Sequence, residues 1–436
     1  MALVTEALSK AHEQYTKDNP ESAKLFAKSV LNLPGGTTRA ALGFKPFPLI
    51  FTGGKGSTVT DADGHHYVDL CGEYSAGLFG HSHPIVTQTM IDTIQQGLAL
   101  GGVNQYEGKL ATLLAGRFPC IEKVRFSNSG TEANLTALSV IKAYTRRCKV
   151  IVFKDAYHGG LLSFMFVPPP GEFGMNVTMD WIILPYNDTE ALEMAVEQNK
   201  DDLACIMVEP MQGAIGCLPA SIEFLQRCRD KATEVGAVLF FDEVTTSRMS
   251  TGGMQTRLNI IPDVTTLAKY FGGGGQSFGA FGGKKEIFNL LEPGNPKGLS
   301  HGGTYNNNVV SMATAIAVME KVWTPEAADN LFELGEWFHR ELDRVSDEQN
   351  SILRISGLGS LINVHFSKKD IHSSADVKAG NMQLRELYFF EMMKKGYFLT
   401  SRGMICLNTV ITKEQLQGFV KATEEFLVEH KTLVSR

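Results

Sequence analysis

The sequence predicts an α/β protein: a large domain with a mostly parallel seven-stranded sheet sandwiched by helices, plus a smaller α+β domain built from the N- and C-terminal segments. Three observations lead there. From about residue 84, helical segments alternate with short apolar runs rich in branched side chains, the pattern of strands buried on both faces. After Thr304 the chain turns helical and then offers only short, separated strands. At 436 residues, with 43% hydrophobic and 20% charged side chains, it has material for more than one domain and the composition of a folded core.

Taken in chain order, Asn19 reads as a helix cap, Pro20 as a preset first helical residue and Glu21 as an acidic first turn, with Leu25, Phe26 and Val30 continuing at helical spacing. Pro34-Gly35-Gly36 ends this arm. Stretches near 48–52, 57–60 and 66–70 flank the turn Asp61-Ala62-Asp63-Gly64 and predict a small antiparallel sheet. The strands of the large domain are expected at 123–127, 149–153, 181–184, 203–208, 237–241, 264–268 and 278–281. Helices follow at 307–322 and from Thr324-Pro325-Glu326, then strands near 352–355 and 361–365, and helices near 377–395 and 413–429 around an apolar run at 404–407. The expected divisions are 1–65 for the arm and small sheet, 66–315 for the large domain and 316–436 for the small one.

Charge and composition exclude several functions. With 41 basic and 47 acidic residues the net charge is −6, without the excess that neutralises a nucleic-acid backbone. No apolar run is long enough for a membrane helix, and Glu6, Lys10, His12 and Glu13 stand where an export signal would be apolar. Seven cysteines without a CxxC pair argue against a disulfide framework or a zinc ribbon, so a cytoplasmic setting is expected. His81, His83 and His158 lack a ligand spacing with carboxylates, and no metal is expected.

Ligands of open parallel sheets bind beyond the carboxyl ends of the strands. Three ends carry chemistry: 237–241 runs into Asp242-Glu243, 203–208 into Glu209, and 264–268 into Lys269. Beside them, Ser127 to Asn134 passes from a strand through hydroxyl residues into a helix start, which suits either a phosphate or a capping box formed by Ser129 with Glu132 or Thr131 with Asn134. Tyr157-His158-Gly159-Gly160 sets an aromatic face and an imidazole on the same rim. The glycines after Lys269 let the chain bend and a ligand approach the backbone, but no nucleotide-triphosphate loop is present.

These pieces, in this order, resemble the class III aminotransferases, pyridoxal-phosphate enzymes of fold type I, across nearly the whole chain. The strings that carry the resemblance are Gly80-His81-Ser82-His83-Pro84, Asn128-Ser129-Gly130-Thr131-Glu132-Ala133, Tyr157-His158-Gly159, Val208-Glu209-Pro210-Met211-Gln212-Gly213, Phe241-Asp242-Glu243-Val244, Leu267-Ala268-Lys269 and Gly303-Thr304. The resemblance implies pyridoxal 5′-phosphate as cofactor, Lys269 as the Schiff-base lysine and Asp242 as the carboxylate facing the protonated ring nitrogen. It further implies Ser129, Gly130 and Thr131 around the phosphate, and Tyr157 and Val244 on the two ring faces. Glu209 and Gln212 would lie beneath the phenolic edge, and Thr304 would reach the phosphate of a neighbouring subunit, so a homodimer with shared active sites is implied.

Within the family, the chain resembles glutamate-1-semialdehyde aminomutases and, more closely, β-phenylalanine and other β-amino acid aminotransferases. The closer likeness rests on 35–49 with Arg39 inside it, Glu73-Tyr74-Ser75-Ala76-Gly77, 276–281 and Thr400-Ser401-Arg402-Gly403. It implies that Arg39, Tyr74 and Arg402 bind substrate, the two guanidiniums holding carboxylates by their planar forks. The expected reaction moves an amino group from a β-amino acid to a 2-oxo acid, 2-oxoglutarate or pyruvate. An aminomutase, an amine:pyruvate transaminase and a cofactor-binding regulator without turnover are the alternatives. Between Lys269 and Phe278 the chain carries one residue more than the family pattern, so the loop beside the lysine is expected to be reshaped.

Overall fold

A computed structural model describes residues 2–166 and 174–436. The chain divides into two compact units, Met1–His83 with Glu333–Arg436, and Pro84–Phe332. These boundaries differ from the expected 65 and 315 because strand pairing and helix packing decide them. Strand His66–Asp69 pairs with Thr58–Asp61 and with Tyr397–Phe398, so it belongs to the first unit. Helix Val309–Lys321 packs on Pro84–Gln95 and Gln105–Arg117, so it stays with the second.

The larger unit is built on β1 (Lys123–Ser127), β2 (Lys149–Phe153), β3 (Asp180–Leu184), β4 (Leu203–Val208), β5 (Val238–Asp242), β6 (Val264–Ala268) and β7 (Gly279–Gly283). Their order across the sheet is β1-β7-β6-β5-β4-β2-β3. Only β7 runs against its neighbours, β6 and β1. The physical reason lies in the connection: residues 269–278 are too few for the crossover that a parallel return from β6 requires. Every residue of β4, β5, β6 and β7 is buried, as expected of strands covered on both faces.

Register aligns the strand ends. Gly279 pairs with both Ala268 and Ser127, which brings the ends of β6 and β1 to one level. Asp242 pairs with Thr266, and Phe241 with Val208, so β5 and β4 finish beside them.

The smaller unit opens with helices Ala2–Asp18 and Pro20–Ser29. Asn19 does not cap the second helix through its side chain; its Nδ2 donates to the Tyr15 carbonyl instead. The cap comes from Asp63, whose carboxylate accepts from the Glu21 and Ser22 amides at 2.7 and 3.0 Å. The expected small sheet forms from Phe51–Lys55, Thr58–Asp61 and His66–Asp69, with Tyr397–Phe398 added as a parallel fourth strand. A second sheet orders Leu353–Leu358, Leu361–Phe366 and Met404–Cys406. The helix expected at 377–395 is two, Ser374–Ala379 and Met382–Lys394, separated by Gly380 and by Asn381, which caps the second through the Leu384 amide.

Among the described residues no helix is long and apolar enough to cross a membrane, no group of three His, Cys, Asp or Glu side chains is placed to hold a metal, and the seven cysteines are free.

Candidate active site

In the larger unit, the aligned strand ends place Lys269 immediately after β6 and Asp242 at the end of β5. Lys269 sits at φ +60, a left-handed conformation that costs a non-glycine residue about 1 kcal/mol or more. It leaves the strand there and turns into the short 3₁₀ segment Lys269–Gly272, its Nζ 3.5 Å from Thr245 Oγ1. Of the glycines that follow, Gly272 and Gly273 are buried, with Thr314 Oγ1 of helix Val309–Lys321 donating to the Gly272 carbonyl at 3.2 Å, whereas Gly275 is exposed.

Asp242 is 4% exposed and accepts three hydrogen bonds. Asn134 Nδ2 and His158 Nδ1 both reach Oδ2 at 2.8 Å, and the Val244 amide reaches Oδ1 at 3.0 Å. An ionised carboxylate, which only accepts, matches this set of donors. Asn134 is itself fixed on both sides, since Nδ2 also donates to the His158 carbonyl at 2.8 Å and Oδ1 accepts from Thr266 Oγ1 at 2.7 Å.

Burial disfavours the charged form of His158, but the hydrogen bond and charge of Asp242, with the charge of Glu209, outweigh it and raise its pKa above the usual histidine value. Glu209 is its counterpart. Burial pushes that carboxyl up to about 7, with Asp242 adding to the rise and His158 opposing it. Glu209 accepts from the Tyr157 amide at 2.9 Å and the Gly213 amide at 3.3 Å, so it ties together the turns after β2 and β4.

The helix Gly130–Thr145 begins at the end of β1. Of the two capping pairs the sequence allows, Ser129 with Glu132 forms: Ser129 Oγ accepts from the Glu132 amide at 3.2 Å, and Glu132 Oε2 accepts from the Asn128 amide at 2.8 Å. Capping and anion binding are compatible here. The cap takes the Glu132 amide, whereas the Gly130 and Thr131 amides, in the first helical turn, have no intrahelical acceptor. The close neighbours are small by necessity. A Cβ on Gly159, at φ +127, would stand 2.2 Å from Thr131 Oγ1, and one on Gly130 would stand 3.0 Å from a Val244 methyl.

Tyr157 lies in the turn after β2 and is 44% exposed. Val244 is positioned differently from expectation: β5 ends at Asp242, and a turn closed by the Val244 amide on Asp242 Oδ1 sets its side chain, not the alternation of an extended strand. Gln212 lies in the hairpin of Met211–Gln212 with Leu218–Pro219. Its Nε2 donates to the Lys154 carbonyl at 3.0 Å, while its Oε1 is buried without a hydrogen-bond partner. Thr304 is exposed on the loop that Asn306 joins to Asn128 at 3.0 Å.

In the smaller unit, Arg39 Nη2 lies 2.6 Å from Glu73 Oε1, with its Cζ 5.6 Å from the centre of the Tyr74 ring. The Tyr74 hydroxyl donates to the Ala41 carbonyl. Glu73, Tyr74 and Ser75 hold φ of +49, +53 and +77, three consecutive left-handed residues. Burial pushes the Tyr74 phenol up to about 12, Cys71 adds to the rise, and Arg402 and Arg39 oppose it, so both arginines act on this one ring. Arg39 and Tyr74 therefore stand together, with Arg39 engaged by an acid of the chain.

Sequence reasoning missed the partners of Asp242. The His158 imidazole was placed on the rim but without a partner, and Asn134 was weighed as a capping residue. The usable signals were a histidine just past a strand end and an asparagine one turn into a helix that starts on the same rim.

Residues 40–427 match the family model described as aminotransferase class-III. A β-phenylalanine transaminase of Variovorax paradoxus is 42% identical over 435 residues, covering 100% of this chain and 99% of that protein. The crystal structure of a β-phenylalanine aminotransferase from the same organism superposes with a TM-score of 0.96 at 42% identity, covering 99% of each chain. A glutamate-1-semialdehyde 2,1-aminomutase of Methanosphaera stadtmanae is 31% identical over 415 residues, 93% of this chain and 97% of that one.

Proposed function

Because this chain belongs to the class III aminotransferases, pyridoxal-phosphate enzymes that move amino groups, we propose that its donor is a β-amino acid of the β-phenylalanine kind and its acceptor a 2-oxo acid. The observation that carries this reading is the likeness to β-phenylalanine transaminase along the full chain, supported by Arg39 standing over the Tyr74 ring.

The residues of the larger unit fit the cofactor. Gln212 Oε1 is a buried acceptor without a partner, and the glycines beside Thr131 and Val244 leave room that side chains would fill. Ser129, Gly130 and Thr131 would hold the phosphate, Asp242 would pair with the ring nitrogen, Tyr157 and Val244 would cover the ring, and Glu209 and Gln212 would border its phenolic edge. When bound, pyridoxal phosphate supplies an aldehyde for the substrate amine and a protonated ring that takes up the electrons of the broken C–H bond. Lys269 Nζ would be the amine that holds the cofactor, and the base that takes the proton from the amine-bearing carbon of the substrate and returns one during transfer. His158 and Asn134 keep the Asp242 carboxylate oriented throughout. Arg39 and Arg402 bind the carboxylates of donor and acceptor. An exposed ion pair such as Arg39 with Glu73 is worth about 0.2–1 kcal/mol, so a substrate carboxylate displaces Glu73 at small cost.

Two copies complete the site, with Thr304 reaching the phosphate of the neighbouring subunit. The large apolar side chains exposed along 91–103, Ile91, Ile94, Leu98, Leu100 and Val103, the last 90% exposed, support a covering partner. Seven free cysteines support a reducing, cytoplasmic setting.

The test supplies racemic 3-amino-3-phenylpropanoate with 2-oxoglutarate or pyruvate. Glutamate or alanine should form, and Lys269→Ala should abolish it; product from glutamate-1-semialdehyde or plain amines alone would turn the assignment to the aminomutase or amine transaminase.

A further inference from the structure

Arg385 stands near the start of helix Met382–Lys394 in the smaller unit, half-buried. Its Cδ lies 3.1 Å from the point a Cβ on Gly403 would occupy, and Gly403 holds φ +86. A residue without a side chain is thus what lets the Arg385 stem pass against the turn that carries Arg402. Asn363 Oδ1, buried and without a hydrogen-bond partner, lies 2.9 Å from the same point and is an acceptor at the guanidinium stem.

Arg39 has Glu73, but among the described residues neither Arg385 nor Arg402 is joined to a carboxylate. The acid next to Arg385 in sequence, Glu386, turns to His12 at 3.0 Å. Burial and the charge of Arg402 both act against the charged form of Arg385 and lower its pKa from the usual arginine value. A guanidinium keeps its proton regardless, so this corner carries two positive charges that the protein leaves uncompensated. Half-buried like charges of this kind are stabilised by an anion from outside, and a carboxylate is the anion the expected reaction brings.

Resting on the reading of Arg402 as a substrate residue, we propose that Arg385 is the second guanidinium of the same subsite, and that the two arginines together bind the carboxylate of the 2-oxo acid acceptor. Arg402 presents its fork and Arg385 adds charge and donors from behind the Gly403 turn.

The experiment titrates the holoenzyme with glutarate, a non-reacting dicarboxylate, by calorimetry, and measures KM and kcat for 2-oxoglutarate in the wild type, Arg385→Met, Arg385→Lys and Arg402→Met. Loss of one charge-assisted contact weakens glutarate binding and raises KM by about tenfold to a hundredfold in Arg385→Met, with kcat changing far less. Arg385→Lys, which keeps the charge but not the fork, recovers part of the binding. Wild-type glutarate affinity in Arg385→Met, alongside weakened affinity in Arg402→Met, overturns the proposal and leaves Arg402 in place. Unchanged affinity in Arg402→Met as well removes the reading on which it rests. Should Arg385→Met fail to fold, Arg385→Lys decides alone: affinity below wild type supports the pair and equal affinity refutes it.

Discussion

Replacing His158 by phenylalanine isolates one interaction of the buried network. A phenyl ring, flat and only somewhat larger than the imidazole, keeps its edge contact with Phe164, whose centroid is 6.3 Å away. Nε2 has no partner to lose. What disappears is the 2.8 Å bond from Nδ1 to Asp242 Oδ2, a hydrogen bond to a charged acceptor worth about 1.5–3 kcal/mol. Asn134 and the Val244 amide remain on Asp242, so the carboxylate stays in place but is held less firmly. Expressed as affinity for the cofactor ring that Asp242 is proposed to hold, the loss is about tenfold to a hundredfold. A second effect follows, because the charge of His158 now draws the Glu209 carboxyl down; without it, that group rises above about 7. Absorbance titration of the cofactor-free protein with pyridoxal phosphate measures the first effect, and thermal melting of the same preparation checks the network's contribution to stability. Glutamine at 158, a neutral donor, should fall between phenylalanine and histidine. Wild-type affinity and melting in His158→Phe would refute the claim that this histidine positions Asp242.

Gly159→Ala should lower the melting temperature and weaken cofactor binding together. Its Cβ would lie 2.2 Å from Thr131 Oγ1 and 2.8 Å from Thr131 Cα at φ +127, and backbone strain of this kind costs about 1–3 kcal/mol. A wild-type melting curve would show that the turn yields. The stability of the cofactor-free protein should also fall as pH rises from 4.5 to about 7. Over that window the folded protein keeps a proton on Glu209 that the unfolded chain releases, so the contribution is full below the usual carboxyl value and is lost as pH climbs through the raised one. His158, raised above its usual 6.5, acts in the same direction. The Glu209 part is on the order of 3 kcal/mol. Denaturant unfolding across this range should show the slope, and Glu209→Gln should flatten it; an equal slope in that variant places the cause elsewhere.

What the chain determined by itself is its strands and the residues at their ends. The runs from Lys149, Leu203 and Val264 are legible because strands buried on both faces are largely apolar, and that is a local property. Lys269, Asp242 and Glu209 are legible for the complementary reason, as charged side chains at the ends of such runs, where an open parallel sheet binds its ligand. Helices with capping residues were also readable, although the residue that caps Pro20–Ser29 proved to be Asp63, forty-odd positions away, not the adjacent Asn19.

Only the tertiary structure decided which residues meet. The junction of His158 and Asn134 on Asp242 depends on β5 lying where the helix after β1 and the turn after β2 can both reach it, a consequence of strand order that no local pattern encodes. The turn that aims Val244 and the Gly403 turn that admits Arg385 depend likewise on contacts between segments far apart in the chain. Local sequence carries propensity and charge. Register, burial and the company each charge keeps are set when the strands pair, and with them the protonation of Glu209 and the two neighbouring guanidiniums that the protein itself leaves unbalanced.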